Sequence, residues 1–340
     1  MNFPKLYIGP MSKNVVDATI GLARQGWNTC LIPSRRQIEY NKGYVDNWTT
    51  SDFVRYVRDR TDKVLIQRDH AGPKQGRTDD NGLESLSDDC ANRLELIHLD
   101  PWKKYPDLDD AAKATKAMIE YCCHDDNESL FEVGTEEGIR KYSDLELNEF
   151  LKKLKKSLDR ERFNRIKFAV IQSGADLLGV TNTGIFNEER CSNMISVCKD
   201  YNLLSKEHNG DYLDGDLIKR RFELGLDGIN IAPELGAEET KLILKEIEEQ
   251  EREDLFEQLF KACFLSRFWV KWLPDGFYPG DLHEKRLLVE VCGHYIFNTD
   301  EFRDITKELS GLQELIKLRL SDKIKTLYES CSVFNRDGRG

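Results

Sequence analysis

The chain has 340 residues and a formal net charge of −11, with 33% charged and 39% hydrophobic residues. That length supports one large domain with an appendage, or two domains, and a core that needs neither disulfide nor metal to fold. The acidic balance excludes a general nucleic-acid binder but leaves room for a local basic pocket, and no run approaches the ~18 apolar residues of a membrane span.

The start of the sequence, M-N-F-P-K-L-Y-I-G-P, shows no apolar leader. Nine cysteines are present without a Cys-x-x-Cys pair. The pattern predicts reduced, mostly buried thiols and a cytoplasmic location.

Short apolar runs alternate with segments of helical period. Strands are expected over 5–8, 27–32, 64–69, 94–99, 130–133, 166–172, 203–207 and 228–232. Helices are expected between them over 14–24, 50–58, 83–92, 109–121, 143–158, 188–200, 214–224 and 238–250. Strict alternation implies parallel strands joined by helical crossovers. Eight such units predict a (β/α)8 barrel over 1–250. An open doubly wound sheet would place a Gly-rich phosphate turn after strand one, and Gly9-Pro10 is not such a turn. Residues 251–340 are expected to form a helical extension. Within it, F-L-S-R-F-W-V-K-W over 264–272 is predicted as a packed amphipathic helix, and N-R-D-G-R-G at the end as a frayed tail.

The third strand carries the chemistry. Its apolar run Val64-Leu65-Ile66 turns polar at Asp69-His70 and is broken at Gly72-Pro73. In a barrel all eight strand ends meet on one face. In order they offer Arg35, Arg36 and Gln37; Asp69 and His70; His98 and Asp100; Glu132; Gln172 and Asp176; Glu207 and His208; and Asn230. Several imidazoles and carboxylates on one rim suffice for a divalent metal with an open position. His98 is expected as a hydrogen-bonded rim histidine, His124 off this face, and His283 and His294 as structural. The segment from Gly72 to Thr78 is one residue too short between its glycines for a P-loop. Its Lys74 and Arg77 remain able to hold an anion as point charges.

These residues resemble the class II aldolase superfamily, above all the companion ("Z") subunit of tagatose-bisphosphate aldolase. R-D-H-A-G-P is similar to that family's G-D-H-L-G-P, I-H-L-D to an identical segment, and F-E-V-G-T-E to V-I-G-T-E. E-H-N-G-D-Y resembles A-H-S-T-D-Y, and R-R-Q-I-E-Y-N-K-G-Y and L-S-D-K-I-K also have counterparts.

The resemblance implies a metal-dependent barrel acting on ketoses or their phosphates. It assigns acid/base work to Asp69, metal ligation to His70 and His208, and substrate contact to Asn230. The family's further zinc histidine near strand six is missing here, which makes Asp176 the expected third ligand and Glu132 a second candidate proton carrier. Arg35, Gln37, Lys74, Asp100 and Gln172 are expected around a small sugar substrate. A mixed His/carboxylate shell suits Zn2+ or Mn2+. The expected activity is aldolase-type chemistry through an enolate. The alternatives are epimerisation of a keto-sugar or keto-sugar acid, and a non-catalytic companion subunit in a hetero-oligomer with an aldolase; a homo-oligomer is the other assembly expected.

Overall fold

The computed structural model describes residues 2–124 and 127–332, so the N-R-D-G-R-G terminus lies outside the described residues. Eight parallel strands close into a barrel. In chain order the elements are β1 (Leu6–Ile8), α1 (Lys13–Arg24), β2 (Cys30–Leu31), α2 (Thr50–Arg58), β3 (Leu65–Ala71), α3 (Leu83–Ala91), β4 (Leu96–Leu99), α4 (Leu108–Cys122), β5 (Leu130–Val133), α5 (Asp144–Ser157) and α6 (Arg160–Asn164). They continue with β6 (Ile166–Ile171), the two-stranded hairpin β7 (Leu177–Leu178) and β8 (Thr181–Asn182), α7 (Glu188–Asp200), β9 (Leu204–Glu207), α8 (Gly215–Glu223), β10 (Gly228–Ile231) and α9 (Pro233–Glu249). The helices α10 (Glu253–Ser266), α11 (Leu282–Cys292), α12 (Asp300–Lys307) and α13 (Leu312–Ser330) follow. The barrel order is β1-β10-β9-β6-β5-β4-β3-β2, with β1 pairing both β2 and β10. The fold is the expected (β/α)8 barrel.

Local chemistry sets the helix starts. Thr49 with Asp52, and Ser143 with Glu146, form reciprocal capping boxes that satisfy the first free N–H groups of α2 and α5. Between strands and helices, side chains such as Leu6, Ile8, Ile66, Ile97, Phe131 and Ile231 build one continuous apolar layer. That layer also takes in Leu255, Leu259, Leu288, Val289, Leu320 and Ile324 of the C-terminal helices. The barrel interior is a separate core of Tyr7, Cys30, Ile32, Leu96 and Phe168. Above it the interior turns polar, with Gln67, His98, Glu132 and Lys206 all fully buried. All nine cysteines are free, and seven are buried.

Two sequence expectations are corrected, and one element is additional to them. The stretch 264–272 is not one helix: α10 ends at Ser266, Arg267 adopts a left-handed conformation (φ 59°), and Phe268–Lys271 forms a single 3-10 turn. Leu265, Phe268 and Val270 stay exposed there. The last barrel helix begins at Pro233, five residues before the expected start, because Asp211 Oδ1 accepts the backbone N–H groups of Ala232 and Glu234 at 2.8 Å each. The β7–β8 hairpin was not foreseen. Its turn residue Gly179 donates its N–H to the Trp272 carbonyl at 2.8 Å, joining the strand-six loop to the C-terminal segment over the barrel mouth. Among the described residues, no helix is long and apolar enough to cross a membrane.

Candidate active site

Asp69 and His70 are neighbours on β3, and adjacent strand residues ordinarily face opposite ways. Here the register between β3 and β4 shifts between Arg68 and Ala71, and His70 has φ +48°. That left-handed residue turns the chain so that both side chains reach the same mouth. Such backbone is uncommon outside glycine and concentrates at functional sites. The following Gly72 (φ +145°) passes so close to the next strand that a Cβ would meet the Asp100 carbonyl at 2.6 Å.

Three imidazoles pack edge to face around Asp69. Ring centroids of His70, His98 and His208 lie 4.9, 5.1 and 4.7 Å apart. The nearest nitrogens stand 3.6 to 3.8 Å from the Asp69 carboxylate oxygens: His98 Nδ1 at 3.6, His70 Nε2 at 3.7 and His208 Nδ1 at 3.8 Å. One ligand atom from each of the four residues can be chosen so that all lie within 4.8 Å of one another.

Each imidazole is anchored at its outer nitrogen. His70 Nδ1 donates to Asp100 Oδ2 at 2.6 Å, His208 Nε2 to Glu132 Oε1 at 2.7 Å, and His98 Nε2 to the Gly134 carbonyl at 3.2 Å. A carboxylate or carbonyl can only accept, so each bond places the hydrogen on the outer nitrogen and aims the other inward. His98 Nδ1 also accepts the His70 backbone N–H at 3.2 Å, a bond it would give up to ligate a cation.

The anchors are themselves held. Asp100 accepts from Gln75, Thr135 and the Trp102 N–H. Glu132 pairs with the Lys206 ammonium, and Gln67 bridges the two, donating to Glu132 Oε2 and accepting from Lys206, both at 2.7 Å. Lys206 lies over the Tyr7 ring, 3.8 Å from its centroid.

The electrostatics follow from this packing. Burial alone would raise the Asp69 carboxyl, but the His70 charge and the neighbouring His98 and His208 imidazoles hold it well below the carboxylate range. Burial works against a charged His70, yet Asp69, Asp100 and Glu136 together raise it well above the usual imidazole value. Burial dominates at His208 and pushes it down, despite Glu132. Glu132 would rise by burial; Lys206, His98 and His208 drive it well below its ordinary value.

This donor set fits a divalent cation. Three inward imidazole nitrogens lie within 4.8 Å of one another, with the Asp69 carboxylate 3.6 to 3.8 Å from them, which leaves room for three nitrogen ligands and an open position. Outer nitrogens fixed on carboxylates and a carbonyl are the support that metal-bound histidines commonly have. A metal would take the place of the proton that His70 otherwise carries between Asp69 and Glu136.

The other expected site residues divide. Asn230 reaches the cluster: its Nδ2 donates to Asp69 Oδ1 at 3.4 Å, and its buried Oδ1 has no partner among the described residues. Asp100 anchors His70 and does not face the opening. Glu132 sits behind His208, locked by Lys206 and Gln67, so it is not free to carry a proton. Asp176, expected as third ligand, does not join the cluster: it is exposed beside the β7–β8 hairpin, where its Oδ1 accepts its neighbour's N–H. Arg35 is buried against Glu39, Asp80 and the Gly72 carbonyl. Gln37 spends its amide on the Ser34 N–H and on Met11, and Gln172 on Tyr142, Thr135, Arg140 and Arg190. These three shape loops. Lys74 is exposed on the rim with φ +62°. Glu136 belongs with the site, 3.6 Å from His70 Nε2 and fixed by Asn209 Nδ2 at 2.9 Å.

No family model and no curated sequence matches the chain. Solved structures do match. A protein described as a probable tagatose 6 phosphate kinase from Sinorhizobium meliloti 1021 superposes with a TM-score of 0.79 at 16% identity, covering 96% of this chain and 100% of that one. The fold is shared. The fructuronate-tagaturonate epimerase UxaE from Cohnella laeviribosi gives a TM-score of 0.61 at 9% identity, covering 96% and 82%. The YdjI aldolase from Escherichia coli K12 gives 0.57 at 13%, covering 96% and 92%. The class II aldolase-like resemblance of the motifs and these neighbours agree on one barrel architecture, carrying aldolases and an epimerase among its members.

Proposed function

We propose that this chain is a metal-dependent enzyme that converts a ketose or ketose derivative through an enolate, with aldol cleavage or condensation as the reaction class. The observation that carries the proposal is the triad of inward imidazole nitrogens, each with its outer nitrogen anchored, closing around the Asp69 carboxylate.

His70, His98 and His208 would hold the ion, and the nitrogen-rich set suits Zn2+, with Mn2+ also accepted. When bound, such an ion supplies Lewis-acid polarisation of a carbonyl. Asp69 is the proton carrier: it is ionised, faces the opening, and is oriented by Asn230. The unpartnered Asn230 Oδ1 would accept a substrate hydroxyl, which accounts for a buried polar atom otherwise left without a bond. Epimerisation beside the carbonyl uses the same enolate. It is favoured to the extent that Glu136 adds a second carboxylate beside His70.

The test is metal content and turnover together. Protein purified without chelator is expected to carry about one divalent ion per chain, lost in His208→Ala. Asp69→Asn is expected to lower turnover of a ketose substrate about 10²–10⁴-fold. A wild-type protein that takes up neither zinc nor manganese would sink the proposal and leave the non-catalytic companion role.

A further inference from the structure

A polar cavity lies apart from the imidazole cluster and shares no residue with it. It measures about 220 Å3 and is walled by the loop after β1, the loop after β2, α9 and α12. Two buried groups form its floor. Glu239 of α9 accepts from the Ser12 hydroxyl and from Asn14 Nδ2 at 2.6 Å, and among the described residues no cation pairs with it. His294, only 2% exposed, has neither ring nitrogen in a hydrogen bond among the described residues. The two groups are neighbours. A Cβ on Gly236 would stand 3.1 Å from His294 Nδ1, and Glu239 follows Gly236 by one turn on the same face of α9.

The floor lacks one positive charge and several hydrogen bonds. A carboxylate has room for about four donors, and Glu239 receives two. Without a cation beside it, burial pushes that carboxyl up to about 7. Burial, and then Lys271, hold the His294 imidazole down to about 3, so it is neutral and offers one lone pair and one N–H. The rim is balanced: Lys13 and Arg303 face Asp46, and Arg303 Nη1 also donates to Asp300 Oδ1 at 3.0 Å. The unmet charge is therefore at the floor. Hard metal ions want about six oxygens. Softer ones want about three or more close donors, a grouping that among the described residues occurs only at the barrel mouth. What fits is a cation that hydrogen-bonds, with N–H groups for the carboxylate and for the imidazole lone pair. Val45, Phe297 and Phe302 on the walls suit a short carbon stem.

We infer that this cavity binds a small organic primary ammonium, its N–H groups shared between Glu239 and His294 and its stem lying along Val45, Phe297 and Phe302. An occupant ties α1 and α9 of the barrel to α12 of the C-terminal helices. Neither the residues nor the ligand of this site depend on the metal cluster or on the proposed reaction.

Calorimetric titration of the full chain with ethanolamine tests this, at a pH above the Glu239 value and after chelation, so that no metal competes for the amine. Ethanolamine is expected to bind one site per chain in the millimolar range. Tetramethylammonium, a cation without an N–H, and glycerol, which has hydroxyls without charge, are each expected to bind at least about tenfold more weakly. Glu239→Gln is expected to weaken ethanolamine binding by at least about tenfold, and Lys219→Ala, on α8, to bind as wild type. A second readout uses wild-type protein labelled for nitrogen resonance, and it stands even if the Glu239 variant fails to fold. Ethanolamine is expected to shift the ring nitrogens of His294, identified by their loss in His294→Gln. The inference is overturned if ethanolamine does not bind, if Glu239→Gln binds it unchanged, if glycerol binds as tightly, or if the His294 ring signals do not move.

Discussion

Asp100 makes no approach to the opening, yet the site depends on it. Its Oδ2 receives His70 Nδ1, Gln75 Nε2 and the Thr135 hydroxyl, while Oδ1 receives the Trp102 N–H. An asparagine there must turn an NH2 toward one of those donors, so either His70 or the Trp102 turn loses its acceptor. Asp100→Asn is therefore expected to weaken metal affinity about 10–100-fold, measured by competition with a chelating dye. Affinity within twofold of wild type would show that His70 needs no anchor. The residues also show what the sequence could reveal. Asp69, His70 and His208 announce themselves as polar groups at the ends of apolar runs. His98, inside L-I-H-L, reads from sequence as a hydrogen-bonded rim histidine, and both its ring nitrogens are indeed hydrogen-bonded; that it also stands in the imidazole cluster is visible only in the closed barrel. Glu132 was given the wrong task because its jailer, Lys206, lies in L-S-K-E. A lysine there looks solvent-facing, and only closure of the barrel turns it inward against Tyr7 and Glu132.

Between elements, the most consequential polar tie joins α9 to α1. Glu239 of α9 is buried and accepts from Ser12, the N-cap of α1, and from Asn14 Nδ2 at 2.6 Å. Burial pushes its carboxyl up to about 7, with Ser12 and Asn14 pulling partly back. A carboxyl raised on folding binds its proton more tightly in the native state. Its contribution is full below the ordinary value of 4.5 and is lost as pH rises through about 7. The lost amount is up to about 3 kcal/mol. Glu239→Gln mimics the protonated form. Urea unfolding at pH 5 and pH 8 should show a wild-type loss of stability that the variant largely lacks. Parallel pH dependences in the two proteins would remove Glu239 as the cause. Helices and strands of this kind were legible from period and caps alone, with boundary errors of a few residues. The start of α9 was not, because its first N–H groups are satisfied by Asp211, which lies more than twenty residues back in the chain.

At the scale of the whole molecule, the question is whether the C-terminal helices are a separate unit. Their packing argues otherwise. α13 lies against α1, α8 and α9, Tyr328 meets Trp27 edge to face at 5.0 Å, and Leu320 is fully buried in the same apolar layer as the barrel's outer face. The segment between α10 and α11 also reaches back to the strand-six loop, where the Trp272 carbonyl receives the Gly179 N–H. No local pattern could foresee these contacts, since the sequence shows only that 251–340 lacks strand alternation. A layer shared in this way should unfold as one. Leu320→Ala is expected to destabilise the protein by about 2–5 kcal/mol while keeping a single transition by calorimetry, with loss of bound metal following the same curve as loss of helix. If the variant instead melts in two steps, with metal retained through the first, the helices are an independent domain that the barrel does not need for its own stability.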